Sequence, residues 1–150
     1  MNLLDWLRSW DRKQPAEAPQ LGADEKHFLG MDVQAVINAH LAWRKHLEDS
    51  ILGRSNEELD IGVIVQDNQC GLGQWLYGQA ARSTLALHPE FARLRESHRL
   101  FHLYAARVIK TQRMHGAEAA QAMLEADFDR VSKDIVFNLA ALIHKERTLP

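Results

Sequence analysis

Among 150 residues there is a single cysteine, Cys70. No intrachain disulfide can form, so the chain suits a reducing compartment or keeps one thiol for its chemistry. Proline and glycine are sparse, four and eight residues, which excludes a low-complexity or collagen-like chain. An excess of one charge is also lacking: 18 Lys+Arg stand against 20 Asp+Glu, a formal net charge of −2. That balance gives no electrostatic case for binding nucleic acid. No apolar run approaches the roughly 20 residues of a membrane-spanning helix. The opening MNLLDWLRSW has no long apolar core and no small-residue cleavage site, so it is no signal peptide. A cytoplasmic protein is expected, of one domain's size and able to bury a real core.

What is present is helical periodicity. Residues 1–11 read as a short amphipathic helix, with Leu3, Leu4, Trp6, Leu7 and Trp10 on one side. This leader is expected to dock on its own protein. Arg8, Arg12 and Lys13 make only a weak cationic cluster, so a membrane anchor is disfavoured. Residues 12–22 bring two prolines and a glycine and read as a linker to a body spanning 23–150. From Val33, apolar residues recur at three- and four-residue steps through Val36, Ile37, Leu41, Leu47 and Ile51. Asp32 is placed to cap that helix and Gly53 to end it. A second helix is expected from Pro89, at a favoured first-turn position, to Gly116, and a third from Ala117 to about Lys145. Ile61, Val63, Ile64 and Val65 favour strand locally, but no second strand-like run exists to pair with them, so a packed loop or distorted turn is expected. The predicted fold is all-α: an antiparallel four-helix bundle, with a short helix around Cys70 and the N-terminal amphipathic helix.

Three of the eight histidines fall inside apolar stripes. His40 lies in the first, and His98 and His102 lie in the second. An i, i+4 pair points both rings the same way, the usual arrangement for two imidazoles on one metal ion. Such a pair also arises by chance in a chain with eight histidines. A third histidine on a core stripe, together with a lone cysteine in a tight glycine-flanked motif, favours the ligand reading. One thiolate and three imidazoles form a four-coordinate, borderline-soft set that suits Zn2+. A bundle core would otherwise bury these polar groups at a cost, and the ion satisfies all of them together. With no position left for water, the site reads as structural or sensory. Asp67 or Asn68 is expected to cap a helix starting near Cys70, whose dipole would favour the thiolate. Trp43 and Trp75 are expected to pack near the metal and shield it from water. Asp67 is a lesser candidate to accept a hydrogen bond from a ligand imidazole. His27, His46, His88, His115 and His144 are expected to be solvated or locally capping.

Three motifs stand in order: 40-HLAW-43, 70-CGLGQWLYG-78 and 98-HRLFH-102, with 30 residues from His40 to Cys70 and 28 from Cys70 to His98. Together they resemble the chemoreceptor zinc-binding domain family. The resemblance covers about residues 30–110 for the motifs and extends to about 145 for the bundle. It implies a four-helix bundle, often a homodimer, with zinc on His40, Cys70, His98 and His102. It also implies a signalling partner of the chemoreceptor or diguanylate cyclase type, as in bacterial chemotaxis, and sensing of zinc or an oxidant such as hypochlorous acid, with Cys70 as the redox-reactive group. No signalling coiled coil or cyclase domain accompanies the motifs, so the chain resembles a free-standing member. The main alternative is a zinc-stabilised adaptor bundle without sensing. An enzyme is not expected. The Glu-x-x-His repeats of carboxylate-bridged metal enzymes are missing, since Arg95 precedes His98 and Ala141 precedes His144 by three. A nucleophilic Cys–His pair lacks any accompanying oxyanion or pocket signal.

Overall fold

The structure, a computed structural model, describes residues 2–10, 15 and 17–148. The leader's last residue and part of the expected linker, including Arg12 and Lys13, lie outside them. The fold is an all-α helical bundle built on three long rods. The first, α3, spans Val33–Ile51, and the Asp32 carboxylate accepts the Ala35 N–H at its start, 2.9 Å away. Gly53, just beyond its end, takes φ 71°, the left-handed conformation that suits glycine after a helix. The second, α6, is Pro89–His115, opened by proline in its first turn and closed at Gly116 with φ 92°. Both rods therefore begin and end at the residues whose chemistry dictates it. The third rod starts as α7 (Ala117–Met123), passes through a π-helical turn (Leu124–Phe128) and continues as α8 (Asp129–Thr148).

The core lies between these rods. Leu94, Val108, Leu124, Phe128, Ile135, Leu139 and Leu142 are completely buried where α6 packs along α7 and α8 and α3 closes over α6. Gln112 of α6 donates to the Ser50 carbonyl at 2.9 Å and ties down the end of α3. The fourth expected helical segment is short: α5, Gly71–Tyr77, carries the cysteine motif.

Three segments add detail to the sequence reading: the packed loop expected at 54–65 and the docking expected of the leader are both seen, and an unexpected hairpin is added. First, 54–65 is a loop followed by one helical turn, α4 (Ile61–Ile64), capped by the Asp60 carboxylate. Ile64 is buried against α6 while Val63 faces solvent. Second, α2 (Ala23–Lys26) leads into a hairpin of two-residue strands, β1 (His27–Phe28) and β2 (Met31–Asp32). Leu29 and Gly30 both take positive φ, 43° and 77°, as the tightest hairpin turn requires. Third, the leader helix α1 (Leu3–Arg8) is part of the packed structure. Leu3, Trp6, Leu7 and Trp10 are buried, α1 lies against α8, and Leu4 stays partly exposed. The Leu3 N–H reaches the Glu25 carboxylate, and the indole N–H of Trp6 donates to the Glu17 carbonyl at 3.2 Å. Gln34 of α3 holds the far end of the connecting segment, accepting from the Leu21 N–H and donating to the Pro19 carbonyl.

Candidate metal centre

His98 and His102 lie one turn apart on the inner face of α6, so their rings project the same way. Their Nε2 atoms are 3.1 Å apart. Cys70 arrives from the other side, at the start of α5, with Sγ 3.2 Å from His98 Nε2 and 3.5 Å from His102 Nε2. Donors bound about 2.0–2.3 Å from one tetrahedral ion must lie about 3.3–3.6 Å from each other. The observed edges of 3.1, 3.2 and 3.5 Å lie within or a little below that spacing, so a shift of a few tenths of an ångström makes the three atoms one face of such a coordination sphere. Among the described residues they are a group of donors within 4.8 Å of one another, close enough to share a metal ion.

His40 projects from α3 into the same cavity, of ≈ 250 Å3, which also bares Cys70, His98 and His102. It stands outside the tight triangle of donors. Its Nδ1–H donates to the Val36 carbonyl at 2.7 Å, and its Nε2 is buried with no hydrogen-bond partner. A carbonyl can only accept, so the tautomer is fixed and Nε2 carries a free lone pair. His102 is fixed in the same way, by donation from Nδ1 to the Ile64 carbonyl at 2.8 Å. Hydrogen bonds of this kind orient and strengthen imidazole ligands. An orphaned lone pair in a core otherwise needs an ion or a proton to satisfy it. These residues therefore fit Zn2+.

The electrostatics agree. Burial pushes His40 down to about 4 and His98 down to about 3, and it lowers His102 despite the bond to Ile64. All three rings are neutral at physiological pH, the form a metal requires. Cys70 behaves differently from the sequence expectation. Burial raises its pKa, outweighing the Gly73 N–H that donates to Sγ at 3.4 Å. The helix start alone does not make the thiolate, because α5 has only seven residues and the sulfur is half-buried.

The capping group of α5 is Cys70 itself, and neither Asp67 nor Asn68 fills that place. Asp67 instead accepts from the Tyr77 hydroxyl at 2.7 Å and faces His102 and Cys70 only as a nearby charge. The Arg95 guanidinium lies over the Tyr77 ring, 5.2 Å from its centre. Trp75 lines the cavity and is anchored by its N–H to the Leu29 carbonyl, 2.8 Å away, which fixes the hairpin over the site. Trp43 lines the same cavity, half-buried beside His46. The remaining histidines stand apart. His27, His46, His115 and His144 are exposed, and His88 bonds Glu146 at 3.0 Å.

Sequence reasoning missed the groups behind the ligands. Ile64 contributes only a backbone carbonyl, so nothing in its side chain signals the role. Arg44, one turn after His40, is buried and paired to buried Asp129 from a segment 85 residues away. A charged pair at helical spacing from a ligand was the only available clue.

Residues 40–109 match the family model of the chemoreceptor zinc-binding domain. All four candidate donors lie within the match, while the leader and the third rod lie outside it. Zn2+ is accordingly the ion of this site, and the role that goes with it is a zinc-binding one in sensing or signalling. Neither a curated protein nor a solved structure matches the chain.

Proposed function

Proceeding from a chain that carries, over residues 40–109, a chemoreceptor zinc-binding domain, we propose a non-catalytic zinc sensor in which Cys70 doubles as an oxidant detector. Cys70, His98 and His102 hold the ion, and His40 turns its free Nε2 to it as the fourth donor. The observation that carries this reading is the triangle of Sγ and two Nε2 atoms with edges of 3.1–3.5 Å. Bound zinc supplies one thing, the stabilisation of a thiolate that burial alone would keep protonated.

The chain's own residues do the rest. Val36 and Ile64 hold two rings in the ligating tautomer. Trp75 and Trp43 wall the site while leaving the sulfur half-exposed to the cavity. A small oxidant such as hypochlorous acid reaches that sulfur. The thiolate takes up the oxygen and chloride leaves, so sulfur is oxidised to sulfenic acid and the chlorine is reduced. A sulfenic acid is the weaker ligand, so the α5 end is released and the bundle relaxes. That change is passed to a signalling partner of the chemoreceptor or cyclase type, with the chain acting as a dimer.

Two measurements test this. Protein purified without added metal should contain about one zinc per chain, and Cys70→Ser should hold it much more weakly. Brief exposure to hypochlorous acid should then modify Cys70 and release the zinc, as read by mass spectrometry and a zinc dye. Zinc retained by an unmodified cysteine would remove the oxidant-detector role and leave zinc occupancy as the signal or an adaptor bundle without sensing.

A further inference from the structure

Two adjacent residues of the third rod reach the His40 end of the site by separate routes. Asp129 receives a two-pronged ion pair from Arg44, with Nε to Oδ1 at 2.9 Å and Nη2 to Oδ2 at 3.1 Å. Phe128 packs its ring 4.9 Å from Phe101, and Phe101 in turn lies 4.6 Å from the His40 ring. Both residues are buried, although neighbours on a regular helix point about 100° apart. The π-helical turn at Leu124–Phe128 immediately precedes Asp129 and widens the rod there. Turns of this type recur at functional positions.

Arg44 and His40 are four residues apart on α3, stacked on one face. A helix cannot turn about its axis at one of them without turning at the other. Glu48, a further turn along, also bonds Arg44, so both carboxylates hold the guanidinium in one orientation. Phe101 meanwhile fills the space on which the His40 ring rests.

We propose that Arg44 and Asp129 are positioning residues for the metal centre. By clamping α3 to the third rod just after the π turn, they set the direction in which His40 Nε2 faces the Cys70, His98 and His102 donors. The proposal rests on the reading of His40 as the fourth donor. It also places a route for the metal signal outside the matched segment, in Phe128–Asp129, because a change in His40 ligation pulls on the clamp that α8 carries.

The test is a thermodynamic cycle on the full chain. Arg44→Met alone would take the guanidinium away from the buried Asp129 charge and weaken the fold, so Arg44→Met is combined with Asp129→Leu, an apolar pair that keeps the packing. Zinc affinity is measured by competition with a chromophoric chelator, and Co2+ replaces zinc as a spectroscopic probe. The paired variant should stay as helical as the parent by circular dichroism, yet bind zinc about 10–100-fold more weakly. Its Co2+ ligand-field bands should move toward those of His40→Ala, with the sulfur-to-cobalt band retained. Added to His40→Ala, the same pair should weaken binding less than about twofold, since the ligand it positions is gone. An equal loss in both backgrounds overturns the proposal. If the paired variant does not fold, Asp129→Asn, which removes the charge and keeps the shape, is read by the same criteria. Unchanged zinc affinity in His40→Ala overturns the ligand assignment itself, a result distinguishable from either of these.

Discussion

At Gly73, the third residue after the cysteine, a Cβ would lie 2.0 Å from the Asp67 carbonyl oxygen. The obstacle is backbone, so no rotamer change relieves it. The loop before Cys70 crosses α5 at this point, and Gly73 lets it pass near enough for the sulfur to accept the Gly73 N–H. Gly73→Ala should destabilise the fold by about 1–3 kcal/mol, as overpacking does, and should weaken zinc binding because the loop carries Cys70. Thermal melts and zinc titration would show both. Gly71 has open space at the same position, so Gly71→Ala is the control that changes neither much. The histidines give a pH prediction. His40 and His98 stay neutral in the folded metal-free protein down to about 4 and about 3, whereas in the unfolded chain each takes a proton near pH 6.5. The unfolded state therefore binds more protons below that point, and stability present above pH 6.5 is lost as the pH falls toward the folded values. At pH 5 the loss is about 2 kcal/mol for each of the two rings. Urea midpoints of metal-free protein should drop between pH 7 and 5. The drop should be smaller for His40→Phe, which keeps an apolar ring against Phe101.

Two of the three long helices, α3 and α6, were legible because their ends are written in residue chemistry. Asp32 and Gly53 bound α3, and His88–Pro89 and Gly116 bound α6. The meeting of His98 and His102 was legible for a related reason: histidines at i, i+4 must share a face, and a helical stripe says which face. What could not be read depends on partners distant in sequence or on breaks in period. The stripe Leu124, Phe128, Val131, Ile135 fits an ordinary α-helix, so it hid the π turn and gave no sign that Asp129 is buried. The hairpin at 27–32 has strands too short to alternate. The leader's periodicity gave a helix without saying where it docks. In the structure Trp6 and Trp10 meet edge to face at 5.5 Å, both buried beside α8, and Lys133 donates to the Trp10 carbonyl. Trp6→Ala removes a large buried ring, a change that costs about 3–5 kcal/mol in a core. Because α1 is a short helix packed chiefly on α8, local undocking limits that cost. The expected result is faster hydrogen exchange in α1 and on the facing side of α8, with α6 unchanged. If α6 lost protection equally, the leader would be an integral part of the bundle core.

The metal centre joins elements distant along the chain. The triangle links the start of α5 to α6, and His40 adds α3 from across the cavity. The folded protein without metal carries an orphaned His40 Nε2, a thiol forced up by burial and three imidazoles forced down. Each of these costs is removed or reduced when an ion is shared among the donors. Zinc should therefore act on the whole molecule, because it binds the assembled state and the unfolded chain presents the same donors scattered. Stabilisation follows the logarithm of free zinc over its dissociation constant and reaches about 4 kcal/mol at a thousandfold excess. For a domain of this size that corresponds to a rise in Tm of about 8–16 °C. Chelation with EDTA should remove the rise, and His102→Ala should abolish it by breaking the triangle. In Cys70→Ser it should shrink to a few degrees. The shape of the unfolding curve carries the more telling information. If the site couples α3, α5 and α6, the metal-free protein should lose protection first in 54–78 and at the Val36–His40 turn, while the α6–α8 pairing persists. Zinc should then merge the two steps into one cooperative transition. A zinc-dependent Tm with the same two-step order of hydrogen exchange would mean that the ion stabilises the α5–α6 corner alone and that His40 does not couple α3 to it.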